Sequence, residues 1–228
     1  FTAFSGSHQD AIKKCLDTYQ EGSVWEIAYL PIDPRDLGRT YQDVIRVNSQ
    51  SGKGGVAYVL QSKFGFNLPR WLQIEFSRVV QKEAEVTGQE IAADKIWGLF
   101  QSAFLSPHQD VSLEDFTFEK VGERERFKAV MNCFDQTLDI SGEGEGVVDA
   151  FVEAIKKATD IDFEIMEYGE HALGQGADAE AVTYIQLKSG LARYTGVAIS
   201  RDIVSSSLNA LLRAAGQLIQ ESRKRSAA

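Results

Sequence analysis

The second half of the sequence contains the same pattern twice, and this repeat constrains the fold more than any other feature. In each copy, three segments with alternating apolar residues are followed by a segment with helical periodicity. The predicted strands are 116–120, 126–134 and 137–140 in the first copy, and 162–168, 180–188 and 192–200 in the second. Because one helix cannot cover a lone three-stranded unit on both sides, we expect the two copies to pack around a shared core.

The faces that would form this core can be identified from residue spacing. Both predicted helices carry apolar residues that recur at helical intervals. These residues are Val148, Phe151, Val152 and Ile155 in the first helix and Leu208, Leu211, Leu212, Ala215 and Ile219 in the second. One side of the strand at 126–134 carries Phe127, Ala129, Met131 and Cys133.

The first half of the chain has helical periodicity. Helices are predicted at about 8–20, 54–63, 70–86 and 93–104, and the segment 25–40 is expected to be an extended, turn-rich connector. The apolar stripe of the third helix is formed by Leu72, Phe76, Val79, Val80 and Val86. The segment LSPHQD at 105–110 marks the boundary with the repeats. We therefore expect an α+β chain, with a small helical linker subdomain followed by a domain of two βββα repeats packed together.

Two glycine-containing stretches precede predicted helices. In RVNSQSGKGG, Val47 and Gly54 stand where a Walker loop needs glycine and Ser or Thr, which favours a loop running into a helix over a phosphate site. In GEGEG, at 142–146, a helix start with small residues can bind an anion, but the two glutamates oppose this. A strand-to-helix turn that needs positive φ is the simpler interpretation of this second stretch.

Charge and cysteine content limit the partners and the compartment. A net charge of −9 over 228 residues argues against nucleic acid and anionic membranes as partners, because phosphate binding requires clustered Lys and Arg. Cys15 and Cys133 lack the spacing of a disulfide framework, which favours free thiols in a reducing compartment. With no run of 18 apolar residues and no signal-peptide pattern, we expect a cytoplasmic protein, the alternative being an organelle signal ahead of Phe1. The start at Phe1 indicates a piece of a longer protein.

The three histidines are candidates for chemistry. None of them has a second His or Cys at metal-ligand spacing, so no self-contained zinc site is expected. His108 lies in the predicted linker, where exposure to solvent is expected, and His171 follows a predicted strand, where it suits a cap or a turn. His8 lies near a helix start, which favours the neutral imidazole of a general base, although a structural role is the simpler interpretation from the residues alone.

Three stretches of the first half resemble one enzyme family closely. FTAFSGSHQDAIKK, YLPIDPRDLGRTYQDVIRVNSQSGKGGVAYVL and LPRWLQIEFSRVVQ are similar to the region after the catalytic barrel in 2-isopropylmalate synthases of the longer, actinobacterial and fungal type. The similarity continues more loosely through DISGEGEGVVDAFVEAI, EYGEHALGQGADAEAVTYI and the last helix, and so covers essentially the whole chain.

The resemblance implies an acyltransferase as the parent protein. Members of the family condense acetyl-CoA with 3-methyl-2-oxobutanoate on a metal-bearing (β/α)8 barrel, in the first step of leucine biosynthesis, and leucine inhibits them at a C-terminal regulatory domain. Residues 1–20 would be the last strand and helix of the barrel, 21–105 the linker subdomains and 112–222 the allosteric dimerisation domain. The ligands of the divalent metal (Mg, Zn or Mn), an Asp, a His-x-His pair and an Asn, would lie upstream. This chain alone is therefore expected to be inactive and to form a homodimer.

The resemblance also implies which residues form the sites. His8 would assist proton removal from the acetyl methyl group, and Tyr41 would reach the active site of the neighbouring subunit. A neutral imidazole fits this task, because enolisation needs a base within hydrogen-bond reach. The implied leucine pocket, between two regulatory domains, is lined by Gly144, Gly146, Val148, Ile165, Tyr168 and Ala172.

The sequence departs from the family pattern near that pocket. Glu145 and Val147 stand where the family usually has Asn and Pro, and Thr195 stands where a tryptophan commonly precedes a glycine. A glutamate at position 145 is expected to repel the carboxylate of the effector.

Other functions share parts of this pattern. A citramalate or homocitrate synthase would have the same architecture with another 2-oxo acid and another effector. A stand-alone amino-acid-binding module and a purely structural dimerisation domain belong to other classes. The effector that binds, if any, and the response to an added barrel distinguish them.

Overall fold

The computed structural model describes residues 6–39, 53–174, 176 and 178–226. The chain divides into two compact units, Phe1–Ala103 and Phe104–Ala228. Each unit has its own secondary structure, which follows from the two kinds of periodicity in the sequence.

The first unit is helical. Its α-helices are α1 (Gly6–Thr18), α2 (Lys53–Phe64), α3 (Arg70–Thr87) and α4 (Ala93–Phe100). A π-helical turn follows α4 at Gln101–Leu105, and the connector after α1 holds turns and a 3-10 helix at Pro34–Leu37. The predicted helices and the turn-rich connector are thereby confirmed.

Aromatic packing joins α4 to α3 and to the segment that follows α2. The Phe100 ring lies 5.3 Å from Phe66 and 5.2 Å from Phe76 between centroids, both edge-on. The buried row of α3 advances four residues at a time and ends at Ala84, so the prediction that Val86 belongs to the stripe is wrong. Val86 lies beyond the end of this row and is 79% exposed.

The second unit contains the two predicted copies. In the first copy, β1 (Val111–Val121), β2 (Arg124–Cys133) and β3 (Gln136–Gly144) form an antiparallel sheet in that order and precede α5 (Val147–Thr159). The second copy consists of β4 (Glu164–Leu173), β5 (Glu180–Ser189), β6 (Ala192–Ser200) and α6 (Ile203–Ser226), with the same strand order. This confirms the repeat and the α+β class.

Several strands are longer than their alternation predicts. The first strand begins at Val111, whereas the pattern predicted a start at 116. A bulge between Leu113 and Phe116 shifts the register there, so the alternation of apolar residues is interrupted and does not reveal the first part of the strand. A second irregularity between Ile165 and Glu167 has the same effect in β4, which continues to Leu173.

The two copies share one apolar core, as their patterns predict. A single cluster contains buried side chains of both sheets and both helices. From the first copy it includes Phe127, Met131, Ile140, Phe151 and Ile155, and from the second Ile185, Leu187, Leu208, Leu211 and Leu218. Burial of apolar area at about 25 cal/mol per Å2 makes this cluster the main source of the unit's stability.

Glycines let each helix approach its own sheet closely. A Cβ on Gly142 of β3 would lie 2.2 Å from the carbonyl oxygen of Ala150, and one on Gly196 of β6 would lie 2.0 Å from that of Ala210. The prediction of positive φ within 142–146 is wrong, because none of these glycines is among the positive-φ residues. Gly142 and Gly144 are required because a side chain at either position would strike the backbone of α5, whereas a Cβ on Gly146 would meet no atom within 4 Å.

The same close contact changes which residues of α5 are buried. Ala150, Phe151, Ala154 and Ile155 are buried, whereas Val148 and Val152 are only half-buried. Ala150 and Ala154 lie against Gly142 of β3, where the close contact leaves no room for larger side chains.

None of the helices in the described ranges is both long and apolar enough to cross a membrane.

Candidate functional sites

His8 is exposed near the start of α1. Its ring stacks on the ring of Tyr29, with centroids 4.1 Å apart and an interplanar angle of 28°. Tyr41 lies outside the described residues, and so do residues 46–52 of the glycine-containing stretch. The structure therefore describes one of the two predicted catalytic side chains, and that side chain is exposed.

Three of the predicted effector residues lie at the junction of β3 and α5. Gly144 is the last residue of β3, Gly146 is the N-cap of α5 with extended backbone (φ −148°), and Val148 is in the first turn. The Glu145 N–H donates to Oδ2 of Asp149 at 3.0 Å. This helix start therefore already holds a carboxylate of its own, which an incoming carboxylate would have to compete with.

The other three predicted effector residues lie along β4. Ile165 is half-buried against the shared core, and Ala172 is exposed. Tyr168 is 44% exposed; its hydroxyl donates to Glu170 Oε2 at 2.6 Å and lies 2.9 Å from Ser207 Oγ. Partial burial, together with the hydrogen bond to Glu170, raises the pKa of the Tyr168 phenol.

Within the second copy, a buried network of hydroxyl groups extends inward from Tyr168. Ser206 Oγ forms hydrogen bonds at 2.8 Å with Thr183 Oγ1 and at 3.0 Å with the carbonyl oxygen of Ala198. Thr183, Ser206 and Ser207 are all at most 1% exposed. Sequence patterns missed this network, although the run of three serines at 205–207 within an apolar helix is the signal that could have indicated it.

A cleft of about 570 Å3 opens beside the start of α6. Ala172 is the one predicted effector residue that lines it. The other lining residues are Glu170, His171, Ala179, Glu180, Ala181, Arg201, Asp202, Ile203 and Val204. Asp202 caps α6 by accepting the Ser205 N–H at 2.8 Å, and Ile203 leaves 53% of its surface exposed.

The predicted effector residues therefore form two groups in this chain. The glycines and Val148 lie around the start of α5, and the other three lie on β4 of the second copy. The cleft that Ala172 lines does not include any of the first group.

A charged cleft of about 600 Å3 lies near the start of α5. Its lining residues are Arg124, Arg126, Lys128, Ser141, Gly142, Glu143, Asp149, Glu153 and Lys157. Arg126 and Glu143 form an ion pair at 2.8 Å across β2 and β3. The Arg126 guanidinium lowers the pKa of the Glu143 carboxyl through this hydrogen bond and its charge.

Two histidines differ from their sequence-based assignments. His108 is half-buried rather than exposed, because its ring packs against Gly216, where a Cβ would approach it to 2.7 Å, and lies edge-on to Phe134. His171 belongs to β4 rather than to a turn, and its ring stacks on Tyr184 at 5.6 Å. The error for His171 arises because the pattern predicted an end of β4 before this residue. The error for His108 arises because a linker was expected to be exposed to solvent.

Within the described ranges, no group of three His, Cys, Asp or Glu side chains is placed to hold a metal ion.

Family models match two parts of the chain. Residues 1–61 match the model described as alpha-isopropylmalate synthase, post-catalytic domain-like. Residues 90–219, more than half of the chain, match the LeuA allosteric (dimerisation) domain.

Curated relatives cover nearly the whole chain. A 2-isopropylmalate synthase of Rhodospirillum rubrum is 45% identical over 225 residues, which are 96% of this chain and 40% of the relative. Those of Parafrankia and Parvibaculum lavamentivorans are 43% and 41% identical over 97% and 95% of this chain, and over 40% and 38% of their own lengths. The chain thus spans about 40% of the length of these relatives. It belongs to the LeuA allosteric (dimerisation) domain family, in the form that 2-isopropylmalate synthases carry.

Proposed function

We propose that this chain is the C-terminal portion of a 2-isopropylmalate synthase and that it dimerises and binds leucine for feedback inhibition. The observation that carries the proposal is the shared core of the two βββα copies, which lies within the segment matched by the allosteric domain family. The parent enzyme would condense acetyl-CoA with 3-methyl-2-oxobutanoate in the first step of leucine biosynthesis.

Three regions would have separate roles. Residues 1–20 would end the catalytic barrel, 21–105 would form the linker subdomains, and 112–222 would form the regulatory domain. The division of the chain after Ala103 supports the second of these boundaries. Cys15 and Cys133 are free thiols, which suits the cytoplasm as the compartment.

In catalysis, His8 would assist removal of a proton from the methyl group of acetyl-CoA, and Tyr41 would act in the active site of the partner subunit. The exposed imidazole of His8 supports this role, because a general base must come within hydrogen-bond reach of the proton it takes. When bound in the barrel, the divalent metal would polarise a substrate carbonyl. Among the described residues, none is assigned to the metal.

For the effector, we propose that the two groups of residues come from two subunits. The start of α5, with Gly144, Gly146 and Val148, would face β4 of a partner, with Ile165, Tyr168 and Ala172. The half-buried or exposed state of Val148, Tyr168 and Ala172 supports this, since each leaves surface for a further contact. Burial of a leucine side chain contributes about 1.5–3 kcal/mol. This is comparable with a typical allosteric coupling of about 1–3 kcal/mol.

Titration calorimetry on the purified chain tests the proposal, with leucine, isoleucine and lysine as ligands. We expect heat with leucine, and at least a tenfold lower affinity in Tyr168→Ala. Met166→Ala is the matched control, because Met166 lies on the same strand with similar exposure, 41% against 44%. A preference for isoleucine or lysine would favour a citramalate or homocitrate synthase instead.

Complementation tests the catalytic half of the proposal. Addition of a catalytic barrel in trans is expected to restore condensation of acetyl-CoA with 3-methyl-2-oxobutanoate. Leucine heat without any restored activity would favour a stand-alone amino-acid-binding module. The absence of heat with every ligand would favour a structural dimerisation domain.

A further inference from the structure

We propose that Tyr29 is a positioning residue for His8, whose imidazole it holds by stacking in the orientation that proton transfer requires. The inference rests on the proposed catalytic role of His8. It is carried by three features of the first unit: the backbone conformation of Tyr29, the attachment of its turn to α1, and the stacked rings.

The backbone at Tyr29 has a conformation that tyrosine rarely adopts. Residues 27–30 form a turn closed by a hydrogen bond of 3.1 Å from the Leu30 N–H to the Ile27 carbonyl oxygen. Within this turn Tyr29 has φ 63°, in the left-handed region where glycine is the favoured residue. Such strain persists only where surrounding contacts impose it, and it concentrates at functional sites.

The turn is attached to α1 on both sides of Tyr29. Ile27 and Leu30 are buried in one cluster with Ile12 of α1. The indole N–H of Trp25 also donates to the Leu30 carbonyl oxygen at 2.7 Å. Ile12 lies four residues after His8, so both residues point from the same face of α1. Because the turn packs against Ile12, its residue Tyr29 lies beside His8.

Burial does not explain why a tyrosine occupies the strained position. Tyr29 leaves 62% of its surface exposed, and its ring lies over the exposed imidazole at 4.1 Å. Stacking on one face restricts the rotation of the imidazole while both ring nitrogens stay at its edge. The edge is where a base must meet its proton, so the geometry orients His8 without blocking it.

NMR of the chain tests the stacking directly, because only three histidines contribute imidazole signals. The ring protons of His8 are expected at upfield positions in the wild type and in Tyr29→Phe, and to move downfield in Tyr29→Gly. Unchanged His8 signals in Tyr29→Gly would overturn the proposal, whatever the chain's function. Tyr29→Gly also removes the backbone strain, and we expect its Tm to be no lower than that of the wild type.

Kinetics of the intact synthase carrying this chain tests the positioning role. In Tyr29→Gly we expect kcat to fall about tenfold with KM for acetyl-CoA unchanged within about twofold, and in Tyr29→Phe we expect near-wild-type kcat. An unchanged kcat in Tyr29→Gly, or an equal loss in Tyr29→Phe, would overturn positioning by stacking.

His8→Ala in the same enzyme separates this inference from the proposed function. A large loss of kcat is expected. Full activity of His8→Ala would refute the catalytic role, and with it the positioning role, even where the NMR signals show that the rings stack. A loss in His8→Ala together with full activity in Tyr29→Gly would refute the positioning role alone.

Discussion

The close contact between α6 and its sheet predicts a large difference between two glycines of that sheet. In Gly196→Ala the new Cβ would lie 2.0 Å from the Ala210 carbonyl oxygen and 2.8 Å from the Ala214 nitrogen. Both atoms are helix backbone, which cannot move aside as a flexible side chain can. In Gly169→Ala, on β4, the new Cβ would have no atom within 4 Å, and φ lies outside the left-handed range. The second substitution is therefore a matched control.

The expected magnitude follows from the cost of overpacking. Extra methylenes in a packed core cost about 1–3 kcal/mol, and contact with a rigid backbone places Gly196→Ala at the upper end, about 3 kcal/mol. Gly169→Ala adds a methyl group in open space and is expected within about 0.5 kcal/mol of the wild type. At about 2–4 °C per kcal/mol, the first variant should lose about 6–12 °C in Tm.

Differential scanning calorimetry of the wild type and both variants measures this difference. We expect the unfolding transition of the second unit to shift down in Gly196→Ala alone. Equal Tm values for the two variants would refute the reasoning, because they would show that the helix backbone does not require glycine at position 196.

The buried network and two titrating groups give further predictions. Thr183→Val removes a hydrogen-bond partner of Ser206 and should lower the free energy of unfolding by about 1 kcal/mol in urea titrations, whereas an unchanged midpoint would contradict the network. The Glu143 carboxyl has a lowered pKa because of Arg126. The pair therefore stabilises the fold above the unfolded-state pKa, and this contribution is lost as pH falls through the lowered value. NMR titration of Arg126→Gln should show the Glu143 pKa returning upward, and no change would refute the assignment. Burial raises the pKa of the Cys133 thiol, so mass spectrometry after limited alkylation should find Cys133 modified more slowly than a half-buried thiol such as Cys15.

The repeat and the shared core could be predicted because they depend on the spacing of apolar residues, which is visible in the sequence itself. The role of the glycines could not. Gly142 and Gly196 are required by the distance between helix and sheet, which no local pattern encodes. The predicted end of β4 was also wrong. Many residues of this strand are exposed and a bulge follows Ile165, so the strand lacks a regular alternation of apolar residues.

The candidate sites were predictable only in part. The candidate roles of His8 and of the proposed effector residues come from the resemblance, and the structure adds their neighbours. The stacking of Tyr29 on His8 depends on a turn with positive φ at a tyrosine, a conformation that residue preferences argue against. The hydroxyl network depends on strand register, which sets Tyr168 and Thr183 beside α6.

Hydrogen exchange of the chain, measured with and without saturating leucine, tests the central claim that two groups of residues form one effector site. We expect slower exchange in both 144–148 and 164–173, because leucine would contact the start of α5 and β4 together. Protection of neither segment, or of only one, would contradict the claim.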